Sequence, residues 1–132
     1  MNTMKKIITI IAIFFTIGQL MAQKPAQKNY TGAEIEFDHI TADLGTLNIG
    51  DVKETFFTFT NIGKKPLILD NVIISCDCTE IEWPKTPVMP GQIGKIKVIY
   101  TAKNSGSINK WATVLSNAEK DRVILTLKGK VN

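Results

Sequence analysis

The chain has 132 residues, 44% of them apolar, and a formal net charge of +4. Its basic residues alternate with apolar ones, as in Lys95-Ile96-Lys97-Val98 and Leu127-Lys128-Gly129-Lys130, which argues against the clustered footprint of a nucleic-acid binder. The two cysteines, Cys76 and Cys78, are separated by one residue and cannot staple distant parts of a fold.

The N-terminus sets the expected compartment. Lys5-Lys6 precedes an apolar run from Ile7 to Ile17, and Gly18 to Ala22 supplies a break and a small residue before Gln23. This pattern predicts a signal peptide over Met1–Ala22, with an uncleaved anchor as the alternative. The apolar run falls short of the ~20 residues of a membrane span. Without Lys5 and Lys6 the 16 basic residues become 14 against 12 acidic ones, a net charge of +2. The remaining chain of about 110 residues is the size of one domain. The expectation is a periplasmic or secreted protein with no stable membrane span after cleavage.

Residues 23–33 are polar, with Lys24, Pro25 and Lys28, and read as a flexible leader. From Glu34 the pattern is β throughout, giving a domain over 34–132. Glu34-Ile35-Glu36-Phe37-Asp38 alternates as a half-buried strand does. Asp43 to Leu47 follows, then a turn at Asn48-Ile49-Gly50-Asp51. Val52 to Thr60 places Phe57 and Phe59 on one face and Phe56 on the other. Leu67 to Ser75 is a strand whose alternation breaks at Asp70-Asn71, where a bulge or bend is expected. After a short strand at Ile81 to Trp83, the prolines at 84, 87 and 90 exclude helix and central strand. Lys95 to Thr101 turns Ile96, Val98 and Tyr100 to one side. Lys110 to Ser116 runs back, and Arg122 to Val131 closes the fold with Val123, Leu125, Leu127 and Val131 inward. Seven to eight antiparallel strands in about 100 residues predict an all-β, two-sheet sandwich, with an open barrel as the alternative.

Asp43-Leu44-Gly45, Asn61-x-Gly63 followed by Pro66-Leu67-Ile68, Ser75-Cys76-Asp77-Cys78-Thr79, Trp83-Pro84 and Pro90-Gly91 stand along the chain as short motifs. Ile96 to Tyr100, Ser116-Asn117 and Lys128 to Val131 complete the set. Together they resemble the secreted bacterial DUF1573 family, which has no assigned function. The resemblance covers essentially the whole chain after the leader. It implies an immunoglobulin-like sandwich similar to the major sperm protein and pilus-chaperone class. Asp77 stands where the family usually has glycine, and aspartate tolerates a left-handed backbone better than most residues.

Three readings of Cys76 and Cys78 stay open: a local disulfide, free structural thiols, and a two-sulfur site for a soft ion such as Cu(I). In an extended strand their Cα atoms stand roughly 6.5–7 Å apart, and a bend brings them into disulfide range. Met89 is the only downstream thioether available as a third ligand. Zinc usually takes four ligands, and only His39 and scattered carboxylates are at hand. Asp38 and His39 are adjacent on a strand and point to opposite faces, so Asp38 does not orient His39 for catalysis. Ser75 has no visible base, and Gly91-x-x-Gly94 is in the wrong context for a phosphate loop. The chain therefore reads as a non-enzymatic binding or assembly module with no required cofactor and a protein of the cell envelope as its partner; the alternative is a soft-metal (Cu(I)) binding or thiol redox protein using Cys76 and Cys78.

Two contact surfaces are expected for that partner. If Ala112 and Val114 face inward, Trp111, Thr113 and Leu115 form an outward row; the inverted register would bury Trp111 and Leu115 instead. The Ile35–Phe37 strand, expected at a sheet edge and free of proline, offers backbone for an added strand, with the leader as a donor. The segment Pro84 to Pro90 should guard the opposite edge.

Overall fold

A computed structural model describes residues 28–132; the expected signal peptide and the start of the leader lie outside the described residues. The strands are β1 (Ile35–Phe37), β2 (Thr41–Leu47), β3 (Val52–Asn61), β4 (Leu69–Ile74), β5 (Thr79–Glu82), β6 (Ile93–Thr101), β7 (Gly106–Ser116) and β8 (Arg122–Val131). They form two four-stranded sheets, ordered β1-β3-β6-β5 and β2-β8-β7-β4, so the sandwich expected from the alternation is the architecture found. No helix of the described residues is long and apolar enough to cross a membrane.

One pairing departs from the antiparallel expectation. β2 runs parallel to β8, whereas the other named pairs are antiparallel. The cause is a change of sheet without a change of direction. The Asp38 N–H still bonds Thr58 O of β3 at 3.0 Å, while the Ile40 carbonyl already accepts the Thr126 N–H of β8 at 2.8 Å. The chain thus crosses between layers within Asp38–Ile40 and continues the same way. Sequence alternation fixes which face a strand buries, and is blind to the neighbour it meets.

Between the sheets the core is closed by Phe57, Phe59, Leu67, Ile96, Val98, Val114, Leu125 and Val131, all essentially without exposed surface. Phe37 tilts against Phe59 with ring centroids 5.5 Å apart. Phe56 is outward and exposed, as the alternation of β3 requires. The bulge expected in β4 is present as a register shift between Leu69 and Asn71.

Most of the quoted motifs hold this sandwich shut. Asn61, fully buried at the end of β3, donates through Nδ2 to the carbonyls of Lys65 (2.8 Å) and Val88 (2.9 Å). Its Oδ1 accepts the N–H of Gly63 at 3.0 Å and of Glu34 at 3.4 Å. Gly63 packs on the backbone of residues 32–34, where any Cβ would strike the Gly32 carbonyl. Gly32 in turn accepts the Lys64 N–H at 2.8 Å and Ala33 is buried, so the packed chain begins two residues before Glu34. Gly45, with φ +71°, sits at the break in the β2 ladder opposite Gly129, whose Cβ would lie 2.7 Å from the Gly45 carbonyl oxygen. Asn117 accepts the Ile68 N–H at 2.8 Å and donates to Pro66 O at 3.1 Å. After β5 the prolines carry the chain to Leu67, where it makes a two-way bridge with Val88, closing that side between β5 and β4.

Candidate functional site

The outer face of the β2-β8-β7-β4 sheet carries the principal surface feature. Ala112, Val114 and Ser116 are buried, which turns Trp111, Thr113 and Leu115 outward. The ladders place Ile73 of β4 opposite Thr113, and Thr113 opposite Ile124 of β8. Cross-strand partners share a face, so Thr113 is the centre of a cross. Ile73 and Ile124 flank it across the strands, and Trp111 and Leu115 lie above and below it along β7. Trp111, Ile73 and Ile124 are each 52% exposed, and none of the five residues bears a charge.

Trp111 and Leu115 were legible from the alternation of β7. Ile124 carried the same signal, since it lies between inward Val123 and Leu125. Ile73 was hidden within the apolar run Val72-Ile73-Ile74, because the bulge resets the phase of β4. The second tryptophan, Trp83, behaves differently. It packs against the core, Lys85 Nζ lies 2.9 Å over its ring centroid, and its buried indole N–H has no acceptor among the described residues.

β1 is an edge strand, paired only with β3. The Glu34 carbonyl accepts the Ile62 N–H and the Asp38 N–H is spent on Thr58, so the backbone groups of Ile35 and Phe37 point to the free side. The side chains of Ile35 and Phe37 face the core, leaving only backbone to meet a partner. Part of that backbone is already engaged. Glu34, itself buried, accepts the Ile35 N–H on Oε1 at 2.9 Å and the Lys120 N–H on Oε2 at 3.2 Å. The β7–β8 turn is thereby tied over the start of the edge, aided by the Glu119 N–H to the Ala33 carbonyl at 3.1 Å.

The cysteine loop lies at the end of the apolar face. Ser75 pairs with Trp111: its N–H donates to the Trp111 carbonyl, and its Oγ accepts the Trp111 N–H, both at 3.0 Å. This backbone role absorbs the hydroxyl considered above as a nucleophile. Cys76 and Cys78 are joined in a disulfide, their Cα atoms drawn to 5.3 Å by the turn. No non-glycine residue described has a positive φ, so Asp77 fits this turn without the left-handed backbone that would call for glycine. Lys103 holds Asp77, its Nζ 3.4 Å from the carboxylate.

Other sequence candidates do not join this site. Met89 lies just before β6, whereas the Cys78 carbonyl accepts the Thr101 N–H at the far end of that nine-residue strand. At ~3.3 Å per residue the two ends are about 26 Å apart. Met89 therefore does not complete a sulfur site with Cys76 and Cys78. His39 is exposed at the change of sheet and lies against Phe57, with centroids 5.3 Å apart. Among the described residues no three His, Cys, Asp or Glu side chains converge.

Solved structures share this architecture. A protein of unknown function from Porphyromonas gingivalis W83 superposes with a TM-score of 0.66 at 17% identity. That match covers 82% of this chain and 51% of the other, so the chain spans about half the length of its neighbour. The ASH/PapD-like domain 7 of human CEP192 gives a TM-score of 0.62 at 13% identity, covering 83% of this chain and 92% of that domain. The secreted serine protease VesC from Vibrio cholerae gives 0.58 at 16% identity, covering 74% of this chain and only 23% of the protease. At these identities the likeness is one of fold, immunoglobulin-like and PapD-like. No curated protein matches the sequence. The family match extends over residues 35–131, from the first residue of β1 to the last of β8, and the chain belongs to the family described as Protein of unknown function (DUF1573).

Proposed function

We propose that this protein is an exported, non-enzymatic binding or assembly module of the cell envelope, and that it engages a protein partner through the outer face of the β2-β8-β7-β4 sheet. The observation that carries this reading is the uncharged cross of Trp111, Ile73, Ile124 and Leu115 around Thr113. A sheet face needs apolar residues on its inner side only, and five uncharged neighbours on the outer side match the centre of a protein interface. Tryptophan at such a centre is a frequent anchor of binding energy. The backbone edge of β1 is the weaker site, because Glu34 already occupies its first free N–H.

Site-specific photocrosslinking in the native envelope tests the choice of surface. A crosslinking residue at position 111 or 124 is expected to trap a protein, and one at Glu36 or at Lys97 on the opposite sheet is not. Crosslinks confined to position 36 would move the interface to the β1 edge.

A further inference from the structure

The disulfide joins residues two apart, so it closes almost no chain and restrains the unfolded state little. The loop around it is held by other means. Ser75 is bonded twice to Trp111, the Cys78 carbonyl accepts the Thr101 N–H at 2.9 Å, and Lys103 grips Asp77 by its carboxylate and its carbonyl. The loop is thus already shaped without the sulfur–sulfur bond. Both cysteines are partly buried, Cys78 with one side against the core, and both line a concavity of about 270 Å³ whose lining also includes Tyr100, Lys103 and Lys110.

Two features distinguish the sulfurs and their surroundings. The buried Thr79 hydroxyl lies 3.4 Å from Cys76 Sγ and 3.9 Å from Cys78 Sγ. It is the nearer donor for a thiolate at Cys76. The charges lining the concavity are Lys103, Lys110 and Asp77, and Asp77 is paired with Lys103. Lys110 forms no ion pair among the described residues, which leaves one positive charge in excess. That excess favours a thiol carrying negative charge.

We infer that Cys76–Cys78 is an exchangeable disulfide that accepts two electrons from anionic thiols such as a glutathione-type peptide, with Cys78 attacked and Cys76 leaving. An incoming thiolate bonds to Cys78 Sγ as the Cys76–Cys78 bond breaks. The electron pair of that bond departs on Cys76 Sγ, where the Thr79 hydroxyl donates to it. A second thiolate then attacks the incoming sulfur and releases Cys78 as a thiolate. The products are two protein thiols, after proton uptake from water, and one disulfide of the reductant. The reverse sequence oxidises thiols.

The full chain recovered from the envelope is exposed briefly to reduced glutathione, quenched with iodoacetamide, and mapped by peptide mass spectrometry. Glutathione is expected on Cys78 and the alkyl group on Cys76, with the far-UV circular dichroism unchanged. Thr79→Val should slow the first step by about fivefold, the worth of one hydrogen bond, and Thr79→Ser should restore it. Lys110→Gln should lower the rate with glutathione relative to cationic cysteamine by about twofold, the worth of one exposed charge. Glutathione on Cys76 would overturn the inference. So would a bond that resists thiols until the chain unfolds, or a Thr79→Val rate equal to that of the parent.

Discussion

Replacing Asn61 is the most informative perturbation of this fold, because one side chain ties three segments together. Its Nδ2 serves the carbonyls of Lys65 and Val88, and its Oδ1 serves the amides of Gly63 and Glu34. Asn61→Ala removes three bonds of 3.0 Å or shorter and one of 3.4 Å, at a site with no exposed surface. A net hydrogen bond is worth about 1 kcal/mol, and a buried partner left unpaired costs about 1–3 kcal/mol. Counting the three short bonds and allowing for partial rehydration, the loss should be about 3–5 kcal/mol. That is a large share of the ~5–15 kcal/mol that holds a domain folded. Asn61→Asp sharpens the test. It preserves shape and the Oδ1 acceptor, yet sets a second oxygen against two carbonyls, so it should be at least as damaging as alanine. Urea unfolding followed by circular dichroism, with equal slopes for parent and variants, reads both values. A loss under about 1 kcal/mol for Asn61→Ala would refute the view that this side chain secures the β1, β3 and Val88 segments.

Three further outcomes follow from particular contacts. Replacing Cys76 and Cys78 together by serine should leave the fold standing at a cost below about 2 kcal/mol, since a ring of three residues corresponds to only about 1.6 kcal/mol of chain entropy; urea midpoints check this. Gly63→Ala, whose Cβ would meet the backbone of residues 32–34, should lower stability by about 2–4 kcal/mol and expose the 28–34 segment to proteolysis before the rest of the chain. Trp111→Ser should change stability by no more than about 1 kcal/mol while abolishing crosslinking from position 124, because the indole is half exposed and not part of the core.

The arrangement has a consequence for how the two surface features relate. Ser75 hydrogen-bonds Trp111 and directly precedes Cys76, so the disulfide stands at one end of the apolar cross. A protein docked on that face would lie beside the sulfurs. The cysteine loop and the Trp111 face are one neighbourhood of the molecule, although 35 positions separate Cys76 from Trp111 in the chain.

What the sequence determined by itself was the content of each layer. Period-two alternation identified the inward sets Phe57/Phe59, Ile96/Val98/Tyr100 and Val123/Leu125/Leu127/Val131, because a strand's two faces are assigned by parity alone. It likewise turned Trp111 and Leu115 outward once Ala112 and Val114 were placed inside. The bulge in β4 was visible as a break in that parity. Tertiary structure decided everything that depends on which strand lies beside which. The parallel β2–β8 pair, the assembly of Ile73 and Ile124 around Thr113, and the distance of Met89 from the cysteines all arise from ladder partners. So does the role of Glu34, an acid read as part of an alternating strand, which is buried to cap Ile35 and Lys120. Parity is a property of neighbours along the chain, whereas the β2–β8 pair, Ile73 beside Thr113 and Glu34 beside Lys120 join residues distant in sequence, the last pair 86 positions apart, and no local pattern encodes them.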